Sequence, residues 1–123
     1  MAYTENQISV SVEAGQDLST KQYFFVSVAA DGQVDPTGAG EAALGVLQND
    51  PAAAGRAAQV CIGGVTKVSA GGTVAAGASV ASDAAGEAVT AASGAIVLGT
   101  AITGGADGEV ISIVFNPSNV VPA

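Results

Sequence analysis

The sequence predicts an all-β fold, a small β-barrel or sandwich of short strands with two pseudo-repeats and at most one short helix. Alternating or β-branched runs recur along the chain, from Ile8-Ser9-Val10-Ser11-Val12 to Val110–Phe115, and a period of two marks a half-buried strand. Turn-forming residues separate them, with 17 Gly and 4 Pro among 123 residues. The two halves also share their punctuation. The first reads Ala14-Gly15, Leu18, Val28, Asp31-Gly32, Val34, Leu44-Gly45, Gly55 and Val60. The second reads Ala70-Gly71, Val74, Val80, Asp83, Gly86, Val89, Leu98-Gly99, Gly108 and Ile113. The offset is 56 at the start (70 − 14) and 54 at the Leu-Gly pair (98 − 44), so short gaps are needed. A repeat of glycines and β-branched residues without repeated catalytic side chains indicates a duplicated scaffold.

Taken in order, residues 1–7 read as a flexible N-terminal arm and Ile8–Val12 as the first strand. Glu13–Thr20 is a loop around Gly15. Tyr23–Val28 is the strongest strand, rich in aromatic and β-branched residues. Asp31-Gly32 supplies a hairpin turn before a return near Gln33-Val34. Asp35–Gly40 is a loop, because Pro and closely spaced Gly resist a ladder. Ala43–Gln48 is a short strand, Asn49–Gly55 a tip and Ala57–Ile62 the return. Gly63-Gly64 is expected to break the chain before a brief strand at Val65–Val68. The second copy follows with strands at Ser79–Ser82, Glu87–Ala91, Ile96–Ile102 and Val110–Phe115. The expected organisation is one β domain over residues 8–115, with pseudo-repeats at about 14–62 and 70–115, and a tail over 116–123.

Composition narrows the function. Of the 49% hydrophobic residues, 26 are Ala and none is Trp, so the core is thin and a partner surface or oligomer is expected to supply part of the stability. Eleven acids against three cations (Lys21, Arg56 and Lys67) give a net charge of −8, which excludes the basic footprint of a nucleic-acid binder and disfavours an anionic membrane. Met1–Gln7 lacks the basic start and apolar run of a signal peptide. The greasy stretch Ala88–Ile102 is interrupted by Gly, Ser and Thr, short of the ~18 consecutive apolar residues of a spanning helix.

Chemistry is nearly absent. Without His, the commonest general base and metal ligand is missing. Cys61 is the lone cysteine; it reads as a buried small hydrophobe and suits synthesis in a reducing cytoplasm. Gly104–Gly108 lacks the Lys-Ser/Thr of a phosphate loop and reads as a hairpin tip. Asp50 and Asp107 read as solvated residues at comparable tips. No catalytic, cofactor or metal residue is expected, and no enzyme activity.

The runs Val28–Val34, Ala43-Leu44-Gly45-Val46, Asp50–Gly55, Gln59–Val65 and Ala70–Val80 resemble the capsid cement, or head decoration, proteins of tailed bacteriophages, over about Ala14–Phe115. The resemblance implies a β-rich structural virion protein on the outer surface of an icosahedral head. It would stabilise that head by bridging neighbouring major capsid subunits, often as a homotrimer. Under this reading the polar termini add to a neighbour's sheet edge by main-chain pairing, which nominates Ala2, Tyr3, Thr4, Glu5, Asn6 and Gln7 with Ser118, Asn119 and Val120 as contacts. Phe24 and Phe25 point to opposite faces of one strand; both are expected in the core, with Phe24 the one that could reach an interface. An adhesive or carbohydrate-binding β module on a fibre or cell surface is the alternative, disfavoured by the missing Trp and scarce Tyr.

Overall fold

The computed structural model describes residues 2 and 4–117, and these form nine strands and no helix. The strands are β1 (Glu5–Ala14), β2 (Phe25–Val28), β3 (Gln33–Pro36), β4 (Gly45–Leu47), β5 (Ala57–Ser69), β6 (Ser79–Ser82), β7 (Ala88–Thr90), β8 (Gly99–Ala101) and β9 (Val110–Phe115). They belong to one mixed sheet in the order β1-β3-β2-β4-β5-β9-β8-β6-β7, with β1 also pairing β5.

That extra pairing closes the first five strands on themselves. β1 pairs β3 in parallel at Glu13 and Ala14, and pairs β5 antiparallel from Glu5 to Glu13. The second half repeats the circuit through β5, β9, β8, β6 and β7, and closes where Ala70, next after β5, bridges Ala88 in parallel. The correspondence holds register by register. Val26 pairs Gly45 as Val80 pairs Gly99, each pair displaced by 54 residues (80 − 26, 99 − 45). Ala14 pairs Val34 as Ala70 bridges Ala88. Val28 therefore corresponds to Ser82 and Val34 to Ala88, each a short slip from the match made by identical letters. Asp50 likewise corresponds to Gly104, so the two tip acids are not equivalent.

The expected break at Gly63-Gly64 does not occur. β5 runs unbroken for 13 residues and serves both halves, closing the first ring and opening the second. Gly64 supplies a kink instead: its φ is +90°, a conformation that L side chains resist. A Cβ there would strike the carbonyl of Asn6. The N-terminal part of β1 can lie against β5 because Gly64 has no side chain. β1 accordingly starts at Glu5 and takes in the last three residues of the stretch read as an arm. β2 in turn starts at Phe25, two residues later than expected, because Tyr23 and Phe24 lie in a turn.

Each ring has its own core. Ala14, Leu18, Val26, Val34, Leu47, Ala58 and Val60 fill the first. Val68, Val74, Leu98, Ile111, Ile113 and Phe115 dominate the second, together with Phe25 and Val46, which the first repeat contributes. Phe25 is buried, its ring 6.3 Å from that of Phe115. The seam is also hydrogen-bonded, Phe25 N–H to Gly86 C=O at 2.7 Å and Gly40 N–H to Ser82 C=O at 2.9 Å. The buried Ser82 hydroxyl donates across it to the Thr37 carbonyl at 3.2 Å. These contacts join two halves whose small side chains leave each a modest core.

Candidate functional site

Phe24 departs from the expected core position. It is half-buried and belongs to neither core cluster. Its N–H returns to the Lys21 carbonyl at 3.0 Å, closing the four-residue turn Lys21-Gln22-Tyr23-Phe24. The equivalent turn in the second repeat is Ala75–Ala78, closed by Ala78 N–H to Ala75 C=O at 3.1 Å. At the third position of that turn stands Gly77 with φ +87°, and the first repeat has Tyr23 there with φ +69°. A turn with positive φ at its third residue favours Gly, and a bulky residue held in that region is strained.

The surrounding backbone fixes the strained turn. Tyr23 N–H donates to Leu47 C=O at 2.7 Å, Leu47 N–H to Phe24 C=O at 2.9 Å, and Ser69 N–H to Tyr23 C=O at 2.8 Å. Two of the three cations then sit over its rings: Lys21 Nζ lies 5.0 Å from the Phe24 centroid and Lys67 Nζ 5.9 Å from that of Tyr23. An ammonium over an aromatic face is attracted by the ring quadrupole. On a chain of net charge −8 this is a local basic and aromatic platform.

Glutamines tie the platform to the start of β1. Gln7 Nε2 donates to Gln48 Oε1 at 3.1 Å, Gln22 Nε2 to the Gln48 carbonyl at 2.9 Å, and Gln48 Nε2 to Thr66 Oγ1 at 2.9 Å. Gln7, nominated from sequence, is thereby linked through Gln48 to Gln22, in the turn that carries Phe24. Glu5 and Asn6 are exposed on β1, Thr4 is exposed and Ala2 half-buried just before it. Tyr3, Ser118, Asn119 and Val120 lie outside the described residues. Sequence reasoning missed Lys21, Gln22, Tyr23, Gln48 and Lys67 as site residues. The available signal was the repeat itself, which sets Tyr23 opposite Gly77 once the halves are aligned at 54.

No group of three or more His, Cys, Asp or Glu side chains gathers as a metal site among the described residues. Cys61 is buried; that burial pushes its thiol pKa up, and Sγ lies 3.1 Å from the Gly63 carbonyl. Since the thiolate is the nucleophile, an elevated pKa makes an inert thiol. A thiol reagent at neutral pH is expected to leave the folded chain unlabelled and to titrate a single thiol per chain in denaturant. Rapid labelling of the folded chain would contradict that assignment. An open cavity of about 450 Å³ lies between residues 39–40 and 81–95, lined by Ala39, Gly40, Ser82, Asp83, Val89 and Ala95. Its acid is already engaged, Asp83 Oδ1 accepting the Ala85 and Glu87 N–H groups at 2.9 Å each.

Comparison with known proteins adds two findings. The family model described as phage cement protein matches residues 4–116. Among solved structures, the chain is similar to the N base of the head fiber gp8.5 of bacteriophage phi29, with a TM-score of 0.69 and 18% identity over 89% of this chain and 94% of that one. At that identity the likeness is one of fold. The search of curated proteins found no match.

Proposed function

The chain belongs to the phage cement proteins, structural components of the phage head, and on that premise we propose that it decorates the outer surface of an icosahedral head and bridges neighbouring major capsid subunits. The role is non-catalytic. Many copies on symmetry-related sites let modest contact energies add up across the shell. A homotrimer at local three-fold positions is the assembly that suits such sites. A protein that binds the shell only when folded is also stabilised by binding, which fits the thin Ala- and Val-rich cores.

The observation that carries the reading is the Lys21–Phe24 turn. A strained, pinned loop that holds two half-buried rings at the surface, each beside a cation, is costly for a lone domain and useful for a docking one. Tyrosine is enriched among interface hot spots, and aromatic residues in general among interface residues. Sedimentation of a lysate from infected cells, with copies counted in the heavy fractions, tests the function. The chain is expected in head-sized particles at a fixed ratio to the major capsid subunit. Recovery in light fractions alone would overturn the proposal.

A further inference from the structure

The two rings differ at one sheet edge. Val65 of β5 is paired on one side with Glu5 of β1 and on the other with Val114 of β9. Its counterpart in the first ring is Ser9, by the same displacement of 56 that relates Ala14 to Ala70 (65 − 9, 70 − 14). Ser9 is paired with Cys61, and among the described residues nothing pairs with its other side. β3 reaches β1 at Glu13 and Ala14. The stretch Cys61–Val65 is thus covered by β1, while the equivalent stretch Glu5–Ser9 lies open.

The open edge presents main-chain groups. Gln59 donates its N–H to Asn49 Oδ1 at 2.9 Å and accepts the Gln48 N–H on its carbonyl at 2.7 Å, both on the side away from β1. Ser11, opposite Gln59, is therefore in a non-hydrogen-bonded pair, and its own N–H and C=O turn away from β5. The pairing is regular from Ser11 to Ser9, so the two-residue alternation gives Ser9 the same orientation. Such an edge is a ready template for another strand.

We infer that this edge of β1, centred on Ser9–Ser11 where the ladder is regular, receives an extended segment of a shell subunit as an added antiparallel strand; the inference rests on the cement reading. The direction follows from the second ring, where the strand covering the equivalent edge runs antiparallel. Charge selects the occupant. Exposed Glu5 and Glu13 flank the edge, and the whole chain carries −8. A second copy would set glutamates against glutamates, which is destabilising across strands, whereas a segment with Lys or Arg near its ends is complementary.

Hydrogen exchange of the chain, free and attached to heads prepared without it, tests the proposal. The Ser9 and Ser11 amides are expected to exchange at least tenfold more slowly on the head. Ser11→Pro, which deletes one outward donor, is expected to weaken attachment at least tenfold while Ser11→Ala preserves it; if the proline variant fails to fold, the exchange result decides. Glu5→Lys is expected to weaken attachment, and unchanged attachment would overturn the cationic occupant. Attachment with unprotected amides overturns the edge and leaves the cement reading standing. Failure to attach overturns both. Concentration-dependent protection in the free chain would identify a second copy as occupant and likewise overturn the proposal.

Discussion

Phe25→Ala is expected to cost about 3–5 kcal/mol of folding stability, the usual range for deleting a buried aromatic ring. That is a large share of the ~5–15 kcal/mol available to an ordinary domain. Phe25 has no exposed surface, and it belongs by sequence to the first repeat and by packing to the second core. Its N–H also holds the seam, donating to the Gly86 carbonyl at 2.7 Å. A cavity at this point loosens the contact between the rings, so denaturant unfolding is expected to shift sharply to lower midpoint or to split into two transitions. Phe24→Ala, one residue away, serves as the contrast. Its ring is half-buried under Lys21, so the expected stability cost is about 1 kcal/mol or less and its effect falls on attachment to heads. Equal stability losses from the two substitutions would show that the faces have been wrongly assigned.

Much of the fold is legible in local sequence. Alternation in Ile8–Val12, the β-branched run at Val110–Phe115 and the Asp31-Gly32 turn each determine their own element. The repeated Gly and Ala positions also disclose the duplication. What escapes is set by non-local pairing. Gly63-Gly64 reads as a breaker because glycine weakens an isolated strand. Here the same residue permits β1 to approach β5, and partners on both sides of Val65 hold the strand together. Identical letters likewise misalign Val28 with Val80, because the true correspondence is one of ladder register, and register depends on hydrogen-bond partners far along the chain. The candidate site was only partly readable for a related reason. Phe24 and Gln7 could be nominated, but nothing local brings Lys67 to Tyr23. Tyr23 also looks like a strand residue by propensity until Gly77 is recognised as its counterpart.

That counterpart yields the sharpest test of the platform. Tyr23→Gly is expected to change folding stability by no more than about 1 kcal/mol, although it removes a half-buried ring. A left-handed residue with a side chain costs roughly 1–2 kcal/mol, and glycine removes that cost. Glycine's greater freedom in the unfolded chain, about 0.5–1 kcal/mol, and the lost Lys67 contact, about 0.5–1 kcal/mol at an exposed site, offset the gain. Tyr23→Ala loses the ring and keeps the strain, so it should be less stable than Tyr23→Gly by roughly 1 kcal/mol, the reverse of the usual order of Ala and Gly. Both variants are expected to attach to heads at least tenfold more weakly than the parent chain. Three melting curves and one binding series decide the matter. If the alanine variant is as stable as the glycine variant, the turn stores no strain. If the glycine variant attaches like the parent, the tyrosine ring takes no part in docking. A stable fold with weakened attachment means that the first repeat retains an unfavourable backbone at Tyr23 for the sake of the surface it presents, while the second repeat, with glycine at the same place, carries no such demand.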